Sequence, residues 1–315
     1  MSSVSMNAPT IAGKNILVTG GAGFIGSHIA RTLVDRNDVT VLDDCSNGDP
    51  DRLSDEVELL RGDVRSSSTV VEGMENVDIV FHEAALVSVT RSVNDPRTSH
   101  TRNARGTLEV LEAARKHDSR VVLASSAAIY GRPQRLPISE EHPKRPISPY
   151  GLDKLALDHY GRLYHELYGL ETVCLRYFNV YGPGQPANDY SGVISTFHDR
   201  ARNDDELPIF GDGEQTRDFV HVSDVVAANL LASTTDHVGE AYNVGSERRV
   251  SITELAELIA EYTDSNGEIV HESAREGDVR HSGADIAKAR TELGFEPSVS
   301  LERGIRDLVT RTKEA

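Results

Sequence analysis

The chain is expected to be an α/β protein: a doubly wound parallel sheet followed by a smaller C-terminal α/β lobe. Three observations in the 315 residues predict this. Short apolar runs of strand length alternate with helical stretches through the first half, the pattern that builds parallel sheets through right-handed crossovers. A glycine-rich loop, Gly20-Gly21-Ala22-Gly23-Phe24-Ile25-Gly26, joins the first apolar run to the first helix. Beyond about residue 180 the alternation breaks at Gly182-Pro183-Gly184, and helical stretches recur among loops.

Taken in order, residues 1–13 lack the basic-then-apolar pattern of a secretory signal and read as a loose tail. Residues 14–19 form a buried strand, and a helix runs over 24–35. Residues 39–42 form the second strand and end at Asp43; further strands fall at 77–82 and 120–124, with a helix over 102–117 between them. Ser148 is a good N-cap and Pro149 a good first helical residue, so another helix starts there. Past residue 180, helices are expected near 192–203, 222–233 and 251–263. The division is a nucleotide-binding domain over 14–179 and a mainly substrate-binding lobe over 180–315, some segments of which return to the first domain.

The composition sets limits. A net charge of −17, with six lysines among 33 basic residues, offers no basic stripe for nucleic acid. A carboxylate-rich, lysine-poor chain also suits a high-salt setting, where such a surface keeps a protein soluble. No apolar run is long enough to span a membrane. Two distant cysteines, Cys45 and Cys174, and no Cys/His cluster point to a reducing, cytoplasmic compartment without disulfides or structural zinc.

The glycine loop lies in the strand–loop–helix context of a Rossmann-type dinucleotide site. Gly20 permits the tight turn, Gly23 lets phosphates approach the backbone, and Gly26 lets the helix pack on the strand. Phe24 and Ile25 start the helix whose N-terminus receives the pyrophosphate. Asp43, about 20 residues on, accepts hydrogen bonds from a ribose 2′-hydroxyl and repels a 2′-phosphate, so NAD is favoured over NADP.

Tyr150 and Lys154 are four apart and share a helix face. Tyr150 falls in the first turn, near the positive end of the helix dipole, with the Lys154 ammonium beside it. Both effects are expected to favour phenolate over phenol, which turns a group of pKa about 10 into a base. An incidental surface Tyr and Lys would look the same in isolation; the glycine loop and Asp43 in the same domain argue otherwise.

These motifs are joined in order by Gly62-Asp63-Val64, His82-Glu83-Ala84-Ala85, Ser125-Ser126-Ala127-Ala128-Ile129-Tyr130-Gly131, Arg176-Tyr177-Phe178-Asn179-Val180-Tyr181-Gly182, Arg217-Asp218-Phe219-Val220-His221, Tyr242-Asn243-Val244-Gly245 and Arg275-Glu276-Gly277-Asp278. The set resembles the extended short-chain dehydrogenase/reductase family and its NAD-dependent nucleotide-sugar epimerases and dehydratases, with the UDP-hexose 4-epimerases nearest. The dehydratases of the family place acids where this chain has Ala127 and Ala128, so elimination lacks its acid and base.

The resemblance implies roles by position. Ser126 hydrogen-bonds the sugar 4-oxygen, Tyr150 takes the 4-hydroxyl proton, and Lys154 serves the tyrosine and the nicotinamide ribose. Asp63 and Val64 touch adenine, Ala84 and Ala85 line the pyrophosphate, and Asn103 belongs to the cofactor pocket. Asn179, Arg217 and Arg275 meet the UDP diphosphate, and Asp278 accepts from the uridine ribose; internal salt bridges are the competing reading of Arg217, Arg275 and Asp278. Ser88 either touches the sugar or is a plain loop serine. Small Ser282 stands at a gate beside the sugar C2 substituent, so acetylated and plain UDP-hexoses both fit. The implied reaction oxidises C4 transiently, with NAD tightly bound, in a homodimer. Two alternatives stay open: a UDP-glucuronate 4-epimerase, with Thr90 or Arg91 meeting the C6 carboxylate, and a non-catalytic NAD sensor, which would not need both Tyr150 and Lys154. Glu83 stands where a neutral residue is usual.

Overall fold

The computed structural model describes residues 8–186, 192–275 and 277–313, so residues 1–7 of the expected tail and Glu276 lie outside it. Among the described residues twelve strands follow in chain order: β1 (Asn15–Thr19), β2 (Asp38–Asp43), β3 (Glu58–Arg61), β4 (Ile79–His82), β5 (Arg120–Ser126), β6 (Thr172–Tyr177), β7 (Asn179–Tyr181), β8 (Leu207–Phe210), β9 (Thr216–His221), β10 (Glu240–Val244), β11 (Arg249–Ser251) and β12 (Ile269–Glu272). Seven of them form one sheet in the order β10-β6-β5-β4-β1-β2-β3. Every neighbouring pair is parallel. The order reverses between β1 and β4, which opens a crevice at the strands' carboxyl ends.

The strands read as continuous apolar runs because both faces are covered. Side chains alternate between faces. Ile16, Val18, Val41, Phe81 and Val122 join Ile29, Val225, Val226 and Leu230 in one core cluster. Leu17, Leu42, Val80, Val121 and Leu123 join Val70, Val110, Leu111 and Leu157 in another. β10 lies far along the chain yet pairs with β6, so a late segment completes the first sheet. The other strands form a three-stranded sheet (β11-β9-β7) and a two-stranded one (β12-β8), packed with the Val193–Arg202 and Ile252–Thr263 helices around a third cluster.

Three sequence expectations are corrected. The tail is not wholly loose: Ile11 is buried in the first cluster, and its carbonyl accepts from Asn37 Nδ2 at 3.0 Å. The expected helix over 102–117 begins as a π-helical turn, Thr101–Arg105, before the regular Gly106–His117 segment. β3 and β6 also escaped the reading. β3 is a half-buried edge strand. β6 carries a charge, Arg176, which is only 1% exposed. That charge is tolerated because Asp158 accepts it at two points, 2.8 and 2.9 Å, from the neighbouring Pro149–Tyr168 helix.

Candidate active site

One continuous cavity of about 840 Å³ runs along the sheet's carboxyl edge and under the second group of strands. Its first wall is the glycine loop. Gly20 has φ +70°, and a Cβ there would come within 2.6 Å of Ala84 N, so the β1 turn packs directly on the segment after β4. A Cβ on Gly26 would meet Gly20 O at 2.4 Å, so the Phe24–Leu33 helix can start there only without a side chain. Gly23 precedes that helix and no side chain caps it, which leaves its first N–H groups for an anion. Phe24, Ile25, Ala84 and Ala85 line the same wall.

Asp43 ends β2 inside the cavity. Its Oδ2 accepts from Ala22 N at 3.0 Å and its Oδ1 from Cys45 N at 2.8 Å. Burial raises its pKa against these two backbone donors. Asp63 and Val64 line the cavity nearby, with Asp63 paired to Arg65. Sequence reasoning missed Arg102 here: it lines the cavity and donates to Ser46 Oγ at 3.0 Å, with Asp44 at 3.6 Å. Only its place on the π-helical turn brings it in, and spacing gives no sign of that.

Ser148 caps the Pro149–Tyr168 helix, accepting from Gly151 N, as expected. Tyr150, Lys154, Ser125 and Ser126 all line the cavity. The predicted electrostatics need correction. Burial dominates Tyr150 and pushes its pKa up to about 12; a hydrogen bond with Ser126 opposes this and the charge of Glu83 adds to it. Lys154 donates to Ala124 O at 2.5 Å, and burial lowers its pKa against the support of Glu83 and Asp153. The helix dipole and lysine therefore do not by themselves make Tyr150 a phenolate.

Asn179, Arg217, Arg275, Asp278 and Ser282 complete the cavity from the second group of strands. Asn179 Nδ2 donates to Asp218 O at 2.9 Å, and Arg275 stacks 3.7 Å from the Phe210 ring centroid. Arg217 and Asp278 pair with each other. The register around Ser282 is clear. Arg280 turns out to Asp212, His281 meets Thr216 Oγ1, and Ser282 N donates to Thr216 O at 3.0 Å. Two predicted residues do not reach the cavity wall. The Asn103 amide is spent on Leu86, accepting from its N at 2.7 Å and donating to its O at 3.2 Å. Ser88 caps the Val89–Asn94 helix.

A dinucleotide fits these residues. The glycine cradle has no room for side chains, and the buried Ser125 hydroxyl has no hydrogen-bond partner among the described residues. A doubly wound sheet with such a cradle, an acid at the end of β2 and a buried Tyr/Lys pair defines a dinucleotide-dependent α/β enzyme.

The chain belongs to the NAD dependent epimerase/dehydratase family, whose model matches residues 16–245, and NAD is the cofactor of that family. It is 41% identical over 302 residues to a putative UDP-glucose 4-epimerase of Methanocaldococcus jannaschii, covering 95% of this chain and 98% of that one. Among solved structures, UDP-glucose 4-epimerase of Thermotoga maritima with UDP-glucose matches with TM-score 0.93 at 38% identity, over 95% of this chain and 99% of that one. UDP-N-acetylglucosamine 4-epimerase of Methanobrevibacter ruminantium, in complex with UDP-N-acetylmuramic acid, matches with TM-score 0.93 at 34% identity, over 96% and 99%. Among the described residues no helix is long and apolar enough to cross a membrane.

Proposed function

We propose that the protein is a UDP-sugar 4-epimerase acting on UDP-glucose/UDP-galactose and, through its small Ser282, on the N-acetylated pair. One observation carries the reading. A single cavity holds a Ser/Tyr/Lys set at one part of its wall and Asn179, Arg217, Arg275 and Asp278 at another, with alanines at 127 and 128. Bound NAD supplies reversible hydride exchange at the sugar C4. Tyr150 takes the C4 hydroxyl proton and later returns it, while Ser126 hydrogen-bonds the same oxygen. Arg217 and Arg275 hold the diphosphate, and Asp278 the uridine ribose. Because these charges grip the nucleotide and spare the hexose, the sugar can turn over between the two half-reactions. Alanine at 127 and 128 offers no acid or base there for loss of water.

The homologous 4-epimerases of M. jannaschii and T. maritima support this reading. A homodimer in the cytoplasm is part of it. Leu152, Leu163, Leu167 and Tyr168 of the Pro149–Tyr168 helix are exposed, and a second copy would cover them.

The test is incubation of the purified protein, in low and high KCl, with UDP-glucose, UDP-GlcNAc and UDP-glucuronate, followed by chromatography and mass analysis. New isomers of the first two at unchanged mass support the reading. Conversion of the uronate alone makes the protein a uronate epimerase. Loss of water or carbon dioxide overturns epimerisation.

A further inference from the structure

Glu83 is a carboxyl in an unusual place. It follows His82 at the end of β4, on the cavity wall. Its Oε1 accepts from the Tyr177 hydroxyl at 2.8 Å, and that oxygen accepts from Asn229 Nδ2 at 2.8 Å. Asn229 Nδ2 is also tied to Val225 O at 2.9 Å. The chain of bonds runs one way: amide to phenol, phenol to carboxyl. Tyr177 is thereby committed as a donor, and Glu83 is the terminal acceptor, built in rather than swung out to solvent.

The groups that face it are few. Lys154 and Tyr150 come from the Pro149–Tyr168 helix and Tyr177 from β6; Lys154 is the cation that acts on Glu83. Asp153, the other acid acting on Lys154, is engaged by Ser99 Oγ at 2.6 Å and His100 Nδ1 at 3.0 Å. His82, next in the chain, is held neutral between Thr19 and Thr107. Burial holds the Glu83 carboxyl well above the ordinary carboxylate range, against the Tyr177 bond and Lys154. The charge of Glu83 therefore bears on both the Lys154 ammonium and the Tyr150 hydroxyl.

We propose that Glu83, fixed on the cavity wall by Tyr177, is a third proton-exchanging member of the Tyr150–Lys154 site, whose carboxylate supports the Lys154 ammonium and opposes the phenolate form of Tyr150. The inference rests on the reading of Tyr150 as the base. The proton balance is simple. Lys154 ammonium, Tyr150 phenol and Glu83 carboxylate sum to zero charge. Moving the phenol proton to Glu83 gives ammonium, phenolate and neutral acid, again zero. A poorly solvated site favours these two states over ones carrying net charge, so the base form of Tyr150 goes with protonated Glu83. The three groups titrate as a cluster.

The experiment follows tyrosinate absorbance against pH in the NAD-loaded protein, native and Glu83→Gln, each read as the difference from its counterpart also carrying Tyr150→Phe. Gln keeps the acceptor for Tyr177 and removes the charge. The Tyr150 signal is expected at a pH lower by about one unit in Glu83→Gln, with the acid limb of kcat/KM moving the same way. Tyr177→Phe, which frees Glu83 to hold its proton more tightly, should shift the signal in the same direction by less. An unmoved signal in both variants overturns the proposal, whatever happens to activity, and leaves Glu83 a structural anchor for Tyr177. A native protein whose signal depends on Glu83 but which converts none of the nucleotide sugars overturns the epimerase reading and not this one.

Discussion

Arg217 Nη2 and Asp278 Oδ1 lie 2.5 Å apart on the cavity wall, while Arg217 Nη1 donates to the Thr216 carbonyl at 2.9 Å. The guanidinium is aimed by its own strand and held by an acid that the reading assigns to the uridine ribose. Burial lowers the Arg217 pKa and Asp278 opposes that, so the acid helps to keep the guanidinium charged. Replacing Arg217 with Met should raise KM for the UDP-sugar by roughly 10- to 100-fold, the worth of a hydrogen bond to a charged group. Because this contact is the same in ground and transition states, kcat should stay within a few-fold. An equal fall in kcat with KM unchanged would move Arg217 into the chemistry.

Ser282 gives a sharper discrimination. Its backbone is pinned to Thr216 and it lines the cavity, so a larger side chain would grow into the space that the proposed function gives to the sugar. Ser282→Tyr is expected to lower activity on UDP-GlcNAc by more than 100-fold and to leave UDP-glucose within about threefold, since a steric clash discriminates more strongly than a lost contact. Equal loss on both sugars would place the gate elsewhere.

Much of this architecture was legible, and the failures have physical reasons. The strand cores and the glycine loop were readable because burial on both faces writes an unbroken apolar run, and because a Cβ at Gly20 or Gly26 has nowhere to go. The Pro149–Tyr168 helix announced its own start through Ser148 and Pro149. β6 was hidden by Arg176, whose partner Asp158 is 18 residues away in sequence. Asn103 and Ser88 had residue types fit for a ligand, yet both are consumed by backbone groups, and sequence does not show which use wins. The electrostatics of Tyr150 misled for a related reason: i,i+4 spacing shows that Lys154 is near, but not that it spends a proton on Ala124 O.

Asp43 should set cofactor choice. Both of its oxygens accept one backbone bond, so replacement by Asn removes the charge and keeps one of the two bonds, its amide nitrogen facing the other backbone N–H. A 2′-phosphate would then meet no anion at that position, and Arg102 stands on the same cavity wall. The preference for NAD over NADP, measured as the ratio of dissociation constants by fluorescence titration, should fall by about tenfold or more in Asp43→Asn. An unchanged ratio would show that Asp43 only braces the Ala22 and Cys45 backbone.

His82 should impose a pH dependence on stability. Thr107 Oγ1 donates to Asn103 O at 2.6 Å, so it accepts from His82 Nε2–H at 2.9 Å. Nδ1 then accepts from Thr19 Oγ1 at 2.7 Å, which fixes the neutral tautomer between β1, β4 and the Gly106–His117 helix. Burial, with a smaller contribution from Lys154, pushes the imidazole pKa from 6.5 to about 3. The sign follows from proton binding. Between those two values the unfolded chain takes up a proton that the folded one refuses, so stability is complete above pH 6.5 and is lost as pH falls toward 3. The slope from this one group is about 1.4 kcal/mol per pH unit. Urea unfolding of the native protein and of His82→Gln at about pH 7 and pH 5 should therefore differ in their pH response by about 2 kcal/mol, with the variant the flatter of the two. Equal responses would assign the acid sensitivity to carboxylates instead.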